Sequence, residues 1–302
     1  MTLLVSGWVA IDEIETPFGK AEGQLGGSAT CAALAGALFT DVRLLAAIGS
    51  DFPADERDKL MDRNIDLEGL NTVPGLTSRW GGRYHYDMNT RDTLYTNLGV
   101  NADWTPELPA GWEGSSTAFL AAADPLLQRN LLSMLDNPLA TMVDTIKFFI
   151  ESVPDEFLET IGQSTFVSVN DSEARELTSM PSVARAARAL LDHGPEGIVV
   201  KLGEYGASFV SREQYFVAPG YPLEEVVDPT GAGDAFAGAF LGYLDAVEGT
   251  ENGHIRRAMI YASTVASFQV EDFGPARLLH LTRQEVDNRY REFRALTHFE
   301  VD

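Results

Sequence analysis

A single cysteine, Cys31, occurs in the 302 residues of the chain. One thiol excludes an internal disulfide and suits a reducing compartment, so a cytoplasmic location is expected. Lysine is nearly as scarce, and Lys20, Lys59, Lys147 and Lys201 are the only ones. With 22 Lys and Arg against 45 Asp and Glu, the formal charge is −23. That balance argues against nucleic acid and anionic membranes as partners, because both are held by clustered positive charge. It suggests a chain suited to high salt, where screening relieves repulsion among carboxylates; an acidic mesophilic enzyme is the alternative. No apolar run approaches the roughly 20 residues of a membrane-spanning helix. The opening Met1-Thr2-Leu3-Leu4-Val5-Ser6-Gly7 lacks the basic start of a signal peptide and reads as a first β-strand. No Gly-x-x-x-x-Gly-Lys-Ser/Thr occurs, which removes a Walker-type NTPase. The first βα turn, Gly7-Trp8-Val9-Ala10-Ile11-Asp12, lacks Gly-x-Gly-x-x-Gly, which removes a Rossmann dehydrogenase.

What is present is an ordinary hydrophobic content of 45%, enough for a substantial core. Strand-like apolar runs fall at 3–5, 42–48, 117–121, 140–143, 165–169, 197–201 and 207–210. Helical patterns at 29–39, 54–63, 183–191, 235–247, 253–270 and 283–295 lie between and after them. Such alternation predicts an α/β chain with a largely parallel sheet and helices on both faces. Ligands then bind beyond the carboxyl ends of the strands. Two stretches fit poorly, about 13–25 and 78–98; the second carries Trp80, Tyr84, Tyr86 and Tyr95 among polar residues. They suit a small antiparallel flap, so the expectation is one domain over 1–302 with these stretches as its lid; ordinary surface hairpins are the alternative.

The segment Asp228-Pro229-Thr230-Gly231-Ala232-Gly233-Asp234 runs into the apolar stretch 235–244. Its glycines let the backbone approach a ligand, and the helix start behind them presents free N–H groups to an anion. An aspartate there would repel an anion unless it has chemistry to do. Asp234 is a candidate base for a hydroxyl that attacks a phosphoryl group; a capped turn is the plain alternative. Gly26-Gly27 opens the small-residue helix and permits a hinge or a close backbone approach. Asn170 and Glu173 follow the strand at 165–169 and lie three apart, placed either to order water around Mg²⁺ or to cap a helix. Lys201-Leu202-Gly203-Glu204-Tyr205-Gly206 follows the next strand as a tight turn.

Taken in this order, these segments resemble the PfkB family of carbohydrate kinases, with its ribokinase-like fold, over essentially the whole chain. Gly231-Ala232-Gly233-Asp234 with Asp228 and Thr230 is similar to the family's C-terminal signature, Asn170 and Glu173 to its Asn-x-x-Glu, and Gly26-Gly27 to its diglycine. Gly7 with Asp12 is similar to its early Gly and sugar-binding Asp, and Gly99-Val100-Asn101 to the segment after the lid. The resemblance implies an ATP-dependent phosphotransferase acting on a primary hydroxyl of a sugar or nucleoside. Asp234 would be the base, and the N–H groups of Gly231, Ala232 and Gly233 would hold the transferred charge. Asn170 and Glu173 would organise Mg²⁺ and phosphates, with Lys201, Gly203 and Gly206 at the nucleotide. Asp12, Gly26, Gly27 and Asn101 would meet the acceptor. Asp228 and Thr230 match residues that bind a monovalent cation such as K⁺, with Gly274 closing its far side. Cys31 stands where ribokinases carry a sugar-contacting Asn, which argues against ribose. The lid aromatics offer faces for a base, which favours a nucleoside, unless they pack under the lid or against a second subunit. Lys147 is either a solvated surface lysine or a partner for an acidic sugar. A lid forming half an interface would give a homodimer. The rival reading is a small-molecule sensor that kept the fold and lost the chemistry.

Overall fold

Leu3, Leu4 and Val5 are all buried, and they point alternately into two different cores. The same alternation recurs where Phe119 and Leu120, and again Val199 and Val200, face opposite sides. A sheet covered by helices on both faces requires this pattern, and it explains why its strands read as continuous apolar runs. The structure, a computed structural model, describes residues 1–298. The last four residues of the expected domain, 299–302, lie outside the described residues.

The strands are β1 (Thr2–Ser6), β2 (Ala10–Thr16), β3 (Gly19–Gly26), β4 (Asp41–Gly49), β5 (Ile65–Asp66), β6 (Leu70–Val73), β7 (Ser78–Tyr84), β8 (Arg91–Asn97), β9 (Thr117–Leu120), β10 (Ala140–Asp144), β11 (Phe166–Asn170), β12 (Gly197–Lys201), β13 (Ala207–Ser211) and β14 (Tyr215–Ala218). The helices are α1 (Ser28–Gly36), α2 (Ala54–Met61), α3 (Pro125–Met134), α4 (Lys147–Ser152), α5 (Pro154–Ile161), α6 (Asp171–Thr178), α7 (Val183–Leu191), α8 (Ala232–Val247), α9 (Asn252–Gln269), α10 (Ala276–His280) and α11 (Arg283–Thr297).

The main sheet runs β14-β13-β12-β11-β10-β9-β1-β4-β5, with β6 also on β4. It is parallel from β12 to β5, and β13 and β14 add an antiparallel edge. The turn from β12 to β13 is too short for a crossover helix, so β13 must return antiparallel. Helices α1, α8 and α9 cover one face, and α3, α5, α6 and α7 the other. This is the ribokinase-like α/β architecture expected from the sequence.

Helices α1 and α8 cross almost backbone to backbone. A Cβ at Gly238 would collide with the carbonyl of Ala32, and one at Gly242 would come within 2.9 Å of Gly36 O. This small-residue seam brings the start of α8 beside the start of α1. Strands β3-β2-β7-β8 form a separate four-stranded sheet from the two stretches that fitted the alternation poorly. It consists of two antiparallel hairpins joined by the parallel pair β2–β7. Among the described residues no helix is long and apolar enough to cross a membrane.

Candidate active site

The carboxyl ends of β10, β11 and β12 deliver Asp144, Asn170 and Lys201 to one edge of the main sheet. Buried Asp144 accepts from Lys201 Nζ at 2.6 Å and from Ser168 Oγ at 2.9 Å. This ion pair fixes the ammonium against the Gly231-Ala232-Gly233 loop, where a Cβ at Gly233 would lie 3.2 Å from Lys201 Nζ. Flanking carboxylates, Asp144 before Glu173 and Asp234, outweigh burial and raise the Lys201 pKa, so it stays charged. Gly231 has φ +76°, and a Cβ there would strike Cys31 Sγ. Both facts demand glycine, and they place buried Cys31 against the loop. The Ala232 N–H is taken by Pro229 O at 3.2 Å and the Ala235 N–H by Gly231 O at 2.8 Å, while the Gly233 N–H between them has no backbone acceptor among the described residues.

Asp234 lies in the first turn of α8. Its pKa is pushed up to about 7, by burial first and then by Asp144, against the opposing pull of Lys201 and Arg91. Asp12 stands across the cleft. Its Oδ2 accepts from Gly27 N–H at 3.3 Å, and its buried Oδ1 has no partner. Burial pushes its pKa up to about 7 against the Gly27 hydrogen bond, with help from Asp228 and Asp234. The diglycine makes room for this carboxylate. A Cβ at Gly26 would overlap Asp12, and Gly27, at φ +90°, would run a Cβ into Trp8 O.

Asn170 and Glu173 form a capping box on α6, each side chain bonded to the other's N–H at 2.8 Å. The capping alternative is therefore realised. Glu173 nevertheless belongs to the charge cluster: burial raises its pKa, and Lys201 opposes this. Asn101 donates to Ser78 Oγ at 2.6 Å on the wall of the cleft. Gly206 packs its backbone against Ala218, Pro219 and Gly220, whereas Gly203 faces Asn89 at the tip of the β7–β8 hairpin. Buried Asp228 accepts from Thr230 N–H at 2.8 Å and from Gly274 N–H at 2.9 Å. Where the resemblance implies a cation at Asp228 and Thr230 with Gly274 on its far side, Gln269 Nε2 donates to the Thr230 and Gly274 carbonyls at 2.8 Å.

The four aromatics of the small sheet have separate surroundings. Tyr84 is buried and accepts from Thr230 Oγ1 at 3.2 Å. Tyr86 is 83% exposed beside Phe18, and Tyr95 lies over Gly81 with its hydroxyl donating to Glu13 at 3.1 Å. Trp80 packs over Gly82 with the Arg91 guanidinium 5.3 Å from its ring centre. By the period-two pattern Trp80 and Tyr84 share one face of β7, whereas Tyr95 on β8, paired with Gly81, belongs to the other face and Tyr86 lies beyond the strand. A cavity of about 620 Å³ opens beyond β1, β9 and β10, lined by Trp8, Trp104, Leu127, Phe148 and Phe149 among others; of the residues expected at the acceptor, Asn101 lines it and Asp12, Gly26 and Gly27 do not. Lys147 is exposed and pairs with Glu151 at 3.4 Å, as a surface lysine would.

Sequence reasoning missed Asp144, Arg91 and this pocket. An acid at the carboxyl end of a parallel strand was the available signal for Asp144. Arg91 carried none, because the hairpin register alone brings it beside Tyr84 and toward Asp12, Asp234 and Glu173.

The sequence matches the family described as pfkB family carbohydrate kinase over residues 18–280. It is 32% identical over 249 residues to the cytidine kinase of Thermococcus kodakarensis, spanning 80% of this chain and 87% of that one. It is 30% identical over 271 residues to the deoxyribokinase of Salmonella typhi, spanning 82% of each. The fold superposes on fructokinase from Vibrio cholerae, in its fructose, ADP and calcium ion bound form, with a TM-score of 0.80 at 18% identity. That match covers 95% of this chain and 98% of the other.

Proposed function

The chain belongs to the pfkB family of carbohydrate kinases and is a sugar or nucleoside kinase; from that premise we propose that it transfers the γ-phosphoryl group of ATP to the primary hydroxyl of a nucleoside, with Asp234 as the base. The observation that carries this reading is Asp234 itself. It is a carboxylate held near neutrality at a helix start, beside a glycine loop and the Lys201 ammonium. A base poised near the working pH is the arrangement proton transfer favours.

In the reaction the acceptor oxygen attacks the γ-phosphorus and its proton passes to an Asp234 oxygen. The bond to the β-phosphate oxygen breaks, and ADP leaves with that electron pair. Lys201 and the free N–H groups of the loop stabilise the charge that develops on the transferred group. Arg91, reaching in from β8, adds positive charge from the opposite wall. Mg²⁺ on the nucleotide would neutralise phosphate charge, with Glu173 and Asn170 meeting its water shell. The donor set fits, because one Glu173 oxygen stays free of protein hydrogen bonds among the described residues and Mg²⁺ touches few protein groups directly. We read the chain as one kinase domain in which β2, β3, β7 and β8 form the lid.

The acceptor's identity rests on the apolar pocket. At about 620 Å³, walled by Trp8, Trp104, Phe148 and Phe149, it exceeds the needs of a pentose and offers flat faces to a base. The cytidine kinase relative supports the same reading. A free pentose is the competing acceptor, favoured by the deoxyribokinase relative. ADP release measured with cytidine, inosine, ribose and deoxyribose decides between them. Stacking is worth about 1–3 kcal/mol per base, so a nucleoside should lead ribose by roughly ten- to a hundredfold in kcat/KM. Trp8→Ala and Trp104→Ala should shrink that lead. Equal kcat/KM for nucleoside and pentose would refute the nucleoside assignment.

A further inference from the structure

Gln269 is the last residue of α9 and is wholly buried, yet it carries a carboxamide. A buried amide without partners is costly, so its hydrogen bonds show what holds it there. Nε2 has two protons, and each finds a carbonyl at 2.8 Å: Thr230 O, just ahead of the anion loop, and Gly274 O, in the turn after α9. Oε1 has no partner. The same two segments are tied again by the Asp228 carboxylate to Gly274 N–H at 2.9 Å, and by Val227 N–H to Val270 O at 2.8 Å. The Gly231 turn, whose missing Cβ would sit 3.5 Å from Nε2, rests directly on this clasp.

Resting on the kinase reading above, we infer that the Gln269 carboxamide takes the place of the monovalent cation expected between Thr230 and Gly274, so that this protein holds its anion loop without one. The physical argument is one of charge and space. Two carbonyl oxygens that converge need positive charge between them, and the two N–H dipoles of a primary amide supply it. A cation at the same point would meet the positive end of those dipoles and overlap the nitrogen. The amide's orientation follows from its partners, since rotation by half a turn would set Oε1 against two oxygens. Three converging oxygens of that kind would hold together only around a cation, which makes the rival arrangement testable. Gln269 is on this account a positioning residue. It touches no substrate and acts by fixing Thr230 and the loop that follows.

The test compares KCl, NaCl and choline chloride at equal ionic strength. In the wild type, ADP release and the melting temperature should be the same in all three to within about twofold and a degree or two, respectively, because nothing selects K⁺. Gln269→Glu removes the NH₂ and makes three oxygens converge. It should lose about ten- to a hundredfold in kcat/KM in choline, for two hydrogen bonds lost, and regain much of it in KCl. The loss should fall mainly on kcat and not on acceptor KM, since no acceptor contact is removed. A wild type activated tenfold or more by K⁺ over choline, or melting selectively higher in K⁺, would overturn the inference. So would a Gln269→Glu enzyme that matches the wild type in choline. If the wild type releases no ADP with any acceptor, the kinase reading fails instead, and the melting series still decides whether a cation binds.

Discussion

Asp234→Asn should have opposite effects on turnover and on stability, and both follow from a carboxylate sunk among other carboxylates. Its folded pKa is about 7 against an ordinary 3.8. Between those values the native state holds a proton that the unfolded chain has lost. Stability contributed by this group is therefore present at low pH and is lost as pH rises toward 7. The full shift corresponds to roughly 4 kcal/mol at 1.36 kcal/mol per unit. Asp234 is only half-buried, and solvent in the cleft screens it, so about 2 kcal/mol is the expected share, or near 4 °C in Tm for a chain this long. Asparagine has nearly the same shape and carries no charge. The variant should melt about 4 °C above the wild type at pH 8, about 1.5 °C above it at pH 5 and level with it only below about pH 3.8, read by calorimetry or dye fluorescence. Turnover should fall by about 10²–10⁴-fold, because the amide cannot take the hydroxyl proton. In the wild type, log kcat/KM should climb as pH rises to about 7 and level off above it. Asp12, also near 7, steepens that limb if acceptor binding needs its charge. A melting difference that is the same at pH 5 and pH 8, or turnover within a few-fold of wild type, would refute the reasoning.

Other substitutions test neighbouring parts of the site. Gly231→Ala must adopt a positive φ and meets Cys31 Sγ, so a loss of about 1–3 kcal/mol is expected in urea titration. Adding Cys31→Ala should restore only the part due to the clash, and full recovery would exclude backbone strain. Glu173→Gln should raise the Mg²⁺ concentration needed for half-maximal activity. An unchanged Mg²⁺ titration would leave Glu173 with its capping role alone. With a formal charge of −23, Tm should climb as NaCl rises from about 0.01 to 1 M, where the Debye length falls from about 30 to 3 Å. A flat curve would mean that ion pairs such as Lys20–Glu13 at 2.7 Å and Arg289–Glu271 at 2.6 Å already balance the surface locally.

Much of the molecule was legible in the order of its residues. Parallel strands buried on both faces must be apolar throughout, so β1, β4, β9, β10, β11 and β12 announced themselves as runs. The anion loop was equally plain, because a backbone that turns through φ +76° over a thiol and opens a helix has to be written in glycine. Asp12 lies within electrostatic reach of Asp228 and Asp234, all three of which the family resemblance had singled out. What no linear reading could decide is how separate segments meet. Tyr84, the last residue of β7, reaches Thr230, whereas Tyr86, two residues on and beyond the strand, stands in solvent, so neighbours in sequence need not share surroundings in space. The pocket that could take a base is assembled from Trp8, Trp104 and Phe148, residues far apart along the chain that only the sheet order brings together. Gln269 looks like any polar residue near a helix end until the fold buries it between two carbonyls. Local chemistry is written in local sequence because backbone angles and helix starts depend on near neighbours; charge pairing, pocket walls and the clasp under the loop depend on contacts between separate segments, and those exist only once the chain has folded.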